Sequence, residues 1–208
     1  MMLISCPRII FSAVCCSLSN VVFSQLEPIL ALRMNDFYLT SVQTGAVLAI
    51  APFIYIFGTL LTPCLPQWID KRVTLMSSTI LMGVFCFFIG PSQLLGMPET
   101  LNLCLFGLFT SSVFLAPMVI PVLPEMIEAS KEAFPHQNIK TTNNYASALF
   151  NTGLGLGTCI GPLYGAMMEE LTNFRLTEDY LGVFLIAFGV LYFTCAGGLK
   201  AFRNTFGK

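Results

Sequence analysis

Ser17, Asn20, Ser24 and Glu27 recur at intervals of three and four, and the last of them is followed at once by Pro28. At about 100° per residue these four side chains fall within one sector of roughly 80° on a helix, a polar stripe that ends in a carboxylate. Such a stripe can hold and release a proton or a cation, because the acid alternates between charged and neutral forms while the amide and hydroxyls supply hydrogen bonds. Pro28 removes a backbone N–H and disturbs the turn that carries Glu27. A second polar set, Asn144, Ser147, Asn151 and Thr158, shares one side of a later segment. Asn151 reads equally as a cavity-lining group or as an interhelical hydrogen bond.

Other chemistries lack their residues. The stretch from Asn151 to Gly165, "NTGLGLGTCIGPLYG", resembles the start of a nucleotide loop, but Ile160 stands where a third fingerprint glycine belongs. Thr158 and Cys159 occupy the place of a phosphate-loop lysine and hydroxyl. The more regular spacing is Gly153, Gly157, Gly161 and Gly165, every fourth residue, which on a helix forms a groove that lets two backbones touch. The one histidine, His136, lies in a loop with no second ligand for a metal. With no G-x-S-x-G elbow and no histidine or paired carboxylates within a span, enzymatic catalysis is not expected, and no cofactor or metal is. Eight cysteines include no C-x-x-C pair, and most fall in apolar runs, so they read as packing residues.

The elements that must position these residues are membrane helices. Of the 208 residues, 55% are hydrophobic and 10% charged, against roughly 25% charged in an ordinary soluble domain; the mean hydropathy is +0.77. Uncharged runs give six candidate spans, approximately 8–32, 39–65, 72–91, 100–130, 141–169 and 179–203, forming one all-α transmembrane domain. The first run also has the form of a secretory signal, but it continues to Leu26, and its removal would leave five helices with unequal loops. With six spans, one side collects Arg8, Lys71, Arg72, Lys131, Lys140, Lys200, Arg203 and Lys208, and the other Arg33 and Arg175. That asymmetry puts both termini of an integral, multi-pass protein in the cytosol. The opposite loops collect acids: Asp36, Glu99, Glu169, Glu170, Glu178 and Asp179. Pro117, Pro121 and Pro124 make a regular second half of the fourth span untenable. The net charge of −1, without a basic stripe, gives no sign of nucleic-acid binding.

Glu27 is the ionisable residue that falls clearly within a span, and two readings of it stand. Either it lines a wet cavity with the stripe below it, or it ends the first span with its carboxylate in interfacial water. No lysine or arginine lies at membrane depth, so the solute such a site takes is cationic or neutral.

The chain resembles the C-terminal half of a major facilitator superfamily transporter, nearest to the vesicular amine and polyamine branch of the proton-coupled drug antiporters. "QLEPILAL", Gln25 to Leu32, is similar to the acidic-Pro signature of that branch's seventh helix. "PQWIDKR", Pro66 to Arg72, resembles a loop motif through Asp70 and Lys71, with Arg72 beside them, while Pro66 and Trp68 depart from it. "PVLPEMIEA", Pro121 to Ala129, looks like the end of the tenth helix. Gly157, Gly161, Pro162 and Gly165 match the antiporter motif G-x-x-x-G-P-x-x-G-G of the eleventh, with Ala166 in place of its last glycine.

The resemblance implies half of a twelve-helix antiporter for small organic cations, with Glu27 handling substrate and proton and the glycines serving as a packing and rocking surface. The branch carries further acids in its tenth and eleventh helices, where this chain has Thr110 to Ser112 and Asn151. A missing half or a second copy is the partner so implied. The alternative is a half-transporter that does not transport and serves as a scaffold or subunit in a membrane complex.

Overall fold

The computed structural model describes residues 6–67, 69–135, 138–196 and 202. Trp68, His136, Lys200, Arg203 and Lys208 lie outside the described residues.

Seven α-helices and no strand are found among the described residues. α1 (Pro7–Asp36) opens with a proline in its first turn, where the missing N–H costs nothing. α2 (Ser41–Leu61) opens with a capping box, the Thr40 hydroxyl accepting from Gln43 N and the Gln43 side chain accepting from Thr40 N. A short 3₁₀ segment (Thr62–Gln67) follows. α3 (Lys71–Ile89) is capped by the Asp70 carboxylate, which accepts from Arg72 N at 2.9 Å. α4 (Leu101–Val119) stops where Pro121 can no longer donate, and α5 (Val122–Ala133) resumes after it. The expected span 100–130 is therefore two helices. α6 (Ile139–Leu171) is capped by the Asn138 side chain, and α7 (Phe174–Cys195) by that of Asn173.

Among the described residues, five segments are long and apolar enough to cross a membrane: Pro7–Asp36, Ser41–Cys64, Lys71–Ile89, Leu101–Ala133 and Phe174–Cys195. α6 is long enough, with 33 residues, but is not one of the five. Its glycines, threonines and asparagines dilute the apolar content that the other helices carry.

α1 packs mainly on α6, α3 on α7 and α4, and α2 on α4. Two apolar clusters fill the interior. Ile9, Cys15, Cys16, Leu75, Met126 and Tyr192 belong to the one near the start of α1, and Ile29, Met34, Ile89, Cys104 and Phe174 to the one near its end.

α7 starts at Phe174, ahead of the expected 179. Glu178 and Asp179, assigned to a loop on sequence, are therefore inside a helix and fully buried. Asp179 can be buried because its carboxylate accepts from Gln93 N at 2.9 Å and Leu94 N at 3.1 Å, tying α7 to the turn after α3.

Candidate functional site

Glu27 lies in the wall of a pocket between α1, α2, α3 and α4. α1 contributes Val22, Phe23, Leu26, Glu27 and Leu30; α2 adds Leu48, Ala51 and Pro52. Met82 comes from α3, and Leu108, Ser111, Ser112 and Leu115 from α4. Glu27 is exposed, and among the described residues no lysine or arginine pairs with it. Ser111 and Ser112 each donate at 2.8 Å to the Leu108 carbonyl. Their donors are spent on their own helix, so their oxygens face the pocket as acceptors. The pocket thus combines apolar walls, one carboxylate and acceptor-only hydroxyls. A ligand that suits it brings an apolar body and an N–H-bearing positive charge.

The rest of the stripe goes elsewhere. α1 runs through Pro28 to Asp36, and on this helix Ser17, Asn20 and Ser24 meet α6, beside the Glu27 pocket. Asn20 Nδ2 donates to the Leu154 carbonyl at 3.0 Å. Ser24 Oγ lies 2.6 Å from the Asn20 carbonyl oxygen and 3.3 Å from that of Gly157. Ser17 Oγ donates to Ala13 O at 3.2 Å. The opposing surface is the glycine row. Gly153, Gly157, Gly161 and Gly165 are the buried residues along most of α6. A Cβ at Gly165 would stand 2.7 Å from the Gln25 carbonyl oxygen; at Gly157 it would collide with the Ser17 carbonyl oxygen and at Gly161 with Ser24 Oγ. The backbones touch because these side chains are absent. Pro162 is half-buried beside them.

The polar residues of α6 turn away from this contact. Asn144, Asn151 and Thr158 are exposed and Ser147 is half-buried. The structure does not bring Asn151 or Ser147 into the Glu27 pocket.

Charges gather at the two ends of the bundle. At the end where α1 begins, Glu125 of α5 is 1% exposed and accepts from Arg8 at 2.7 Å, with Arg72 Nε 3.4 Å away. Arg8 also pairs with Glu132, and Lys71 with Glu128. The Asp70–Lys71–Arg72 loop motif is thereby joined to α5 at Glu125 and Glu128. At the other end Arg33 lies over the rings of Phe37 and Phe174, 4.7 and 5.5 Å from their centroids, and pairs with Glu99 and Asp36. Arg175 donates to the carbonyls of Pro91 at 2.6 Å and Met97 at 2.8 Å and lies 3.6 Å from Glu99. The Arg33 hydrogen bond holds the Glu99 carboxyl below the ordinary carboxylate range.

Sequence reasoning missed a polar contact on the far side of α1. Gln25 and Glu178 are fully buried, and Gln25 Nε2 donates to Glu178 Oε1 at 2.6 Å. The signal was present in the Asn173 cap, which starts α7 early enough to carry Glu178 inward. Among the described residues no three His, Cys, Asp or Glu side chains gather to hold a metal ion.

Set against known proteins, the sequence matches no family model and no curated relative.

Proposed function

We propose that the chain is a six-helix half of a proton-coupled antiporter of the major facilitator kind, exporting small organic cations such as amines or polyamines. The carrying observation is the Glu27 pocket, an apolar cleft whose lining holds a single carboxylate and two hydroxyls. A protonated Glu27 leaves the cleft neutral, and an ammonium entering it takes the place of the proton. The acceptor-only serines add hydrogen bonds to an N–H-bearing substrate and none to an anion's oxygens. In this reading α6 also crosses the membrane, as the fifth of six spans, both termini are cytosolic, and the Arg8–Glu125–Arg72 cluster lies at the cytosolic end.

The exposed polar side of α6, Asn144, Asn151 and Thr158, is then covered by a second six-helix half or a second copy of the chain. The same exposed side favours the alternative, a half-transporter that docks in a membrane complex without transporting. Proteoliposomes holding the chain under a proton gradient separate the two. Gradient-driven uptake of a labelled amine that Glu27→Gln abolishes supports exchange at Glu27; uptake that survives Glu27→Gln defeats it. A chain that assembles with a second copy of itself and still moves no amine, with or without a gradient, favours the scaffold.

A further inference from the structure

The Gln25–Glu178 contact is half satisfied. Gln25 Nε2 donates to Glu178 Oε1 at 2.6 Å, yet Gln25 Oε1 and Glu178 Oε2 are both buried without a hydrogen-bond partner. An ionised carboxylate only accepts, so in that form it offers no donor to the unpartnered Gln25 oxygen. A carboxylic acid has one donor and one acceptor, as does the face of a primary amide. Adding a single proton to Glu178 Oε2 supplies the donor that Gln25 Oε1 lacks.

We infer that Glu178 holds a proton in the folded protein and closes a two-point acid–amide pair with Gln25, a proton-binding site separate from the Glu27 pocket. Gln25 and Glu27 are two residues apart on α1 and so point to nearly opposite sides of the helix.

The surroundings agree with a neutral acid. The backbone N–H groups of Gln93 and Leu94 both donate to Asp179 Oδ2, so they are not available to Glu178, and Asp179 Oδ1 is likewise buried without a partner. The other titratable groups facing Glu178 are Cys86 on α3, Cys104 on α4 and Tyr164 on α6, all neutral in their ordinary forms. Tyr164 donates its hydroxyl to the Thr177 carbonyl at 3.2 Å; the Cys86 thiol also approaches the Glu178 carboxyl, but makes no hydrogen bond to Oε2 and is a weak donor. The two arginines at this end, Arg33 and Arg175, pair with Glu99, and neither forms an ion pair with Glu178. Gly90 closes the α3 side, where a Cβ would stand 2.7 Å from Glu178 Cβ. An unpaired charge in so dry a place is costly, and a neutral pair is not.

The proton balance is simple. The bound proton sits on Glu178 Oε2 and bonds Gln25 Oε1; on release it passes to water, leaving the carboxylate with Gln25 Nε2 as donor and Gln25 Oε1 unpartnered.

The test is infrared spectroscopy of the full chain in lipid nanodiscs at neutral pH, reading the carbonyl band of a protonated carboxyl. The band is expected in the wild type, lost in Glu178→Gln and kept in Glu27→Gln. Gln25→Leu is expected to keep it but move it toward the frequency of an acid with no hydrogen bond, a readout that serves even where Glu178→Gln fails to fold. A wild type with no such band, a band that survives Glu178→Gln, one lost with Glu27→Gln, or one unmoved by Gln25→Leu overturns the assignment.

Discussion

Gly155 and Gly157 are two residues apart on α6, yet a methyl group added to each meets opposite fates. At Gly155 a Cβ finds nothing within 4 Å. At Gly157 it overlaps the Ser17 carbonyl oxygen and lies 2.6 Å from Asn20 Cβ, both on a helix that cannot retreat without breaking the contacts of Gly153, Gly161 and Gly165. Alanine gains about 0.5–1 kcal/mol over glycine in a helix interior at either position. Overpacking costs about 1–3 kcal/mol and applies at Gly157 alone. The propensity gain cancels in the comparison, so Gly157→Ala should be less stable than Gly155→Ala by about 1–3 kcal/mol. For a chain of this size that is about 2–4 °C in Tm per kcal/mol. Thermal unfolding in detergent, followed by exposure of the buried Cys15 and Cys16 thiols to a maleimide dye, measures it. Equal shifts for the two substitutions would refute the α1–α6 backbone contact.

Two further outcomes follow from the charged ends. Glu99 titrates below its unfolded value because Arg33 hydrogen-bonds it, so its contribution is present above the unfolded pKa and lost as pH falls through the folded one. Acid should therefore loosen the Arg33–Glu99–Arg175 end, seen as faster amide exchange in residues 91–99, and Glu99→Gln should remove that acid dependence. Arg8→Ala strands Glu125, for which the cost of about 3–5 kcal/mol for breaking a buried pair is an upper bound because Arg72 remains 3.4 Å away. Adding Glu125→Gln should restore part of the loss in a double-mutant cycle of unfolding free energies, and strict additivity would exclude the coupling.

Much of the helical framework was legible because uncharged runs and caps are local signals. α1 and α3 begin within a residue of the expected spans at 8 and 72, and Pro121 breaks the fourth span as its prolines led one to expect. The start of α7 was not legible, since two adjacent acids read as loop until Asp179 is seen tying down the turn at Gln93 and Leu94. The polar stripe shows the other limit. Periodicity placed Ser17, Asn20, Ser24 and Glu27 in one sector of α1, but a sector of roughly 80° is wide enough to meet two neighbours. Its serine and asparagine edge meets the glycines of α6, and its Glu27 edge meets the pocket lined by α2 and α4. Which helix lies opposite is a tertiary fact, and the spacing of α1 residues does not contain it. Gln25 escaped notice for the same reason, because its partner Glu178 is 153 residues away in sequence.

In the proposed exchange an organic cation and a proton compete for Glu27. Calorimetric titration of the chain with an amine in nanodiscs, repeated in buffers of different ionisation enthalpy, counts the protons released on binding. Proton release is expected on binding by the wild type and none by Glu27→Gln. Binding that releases no proton, or release that Glu27→Gln leaves unchanged, would contradict it.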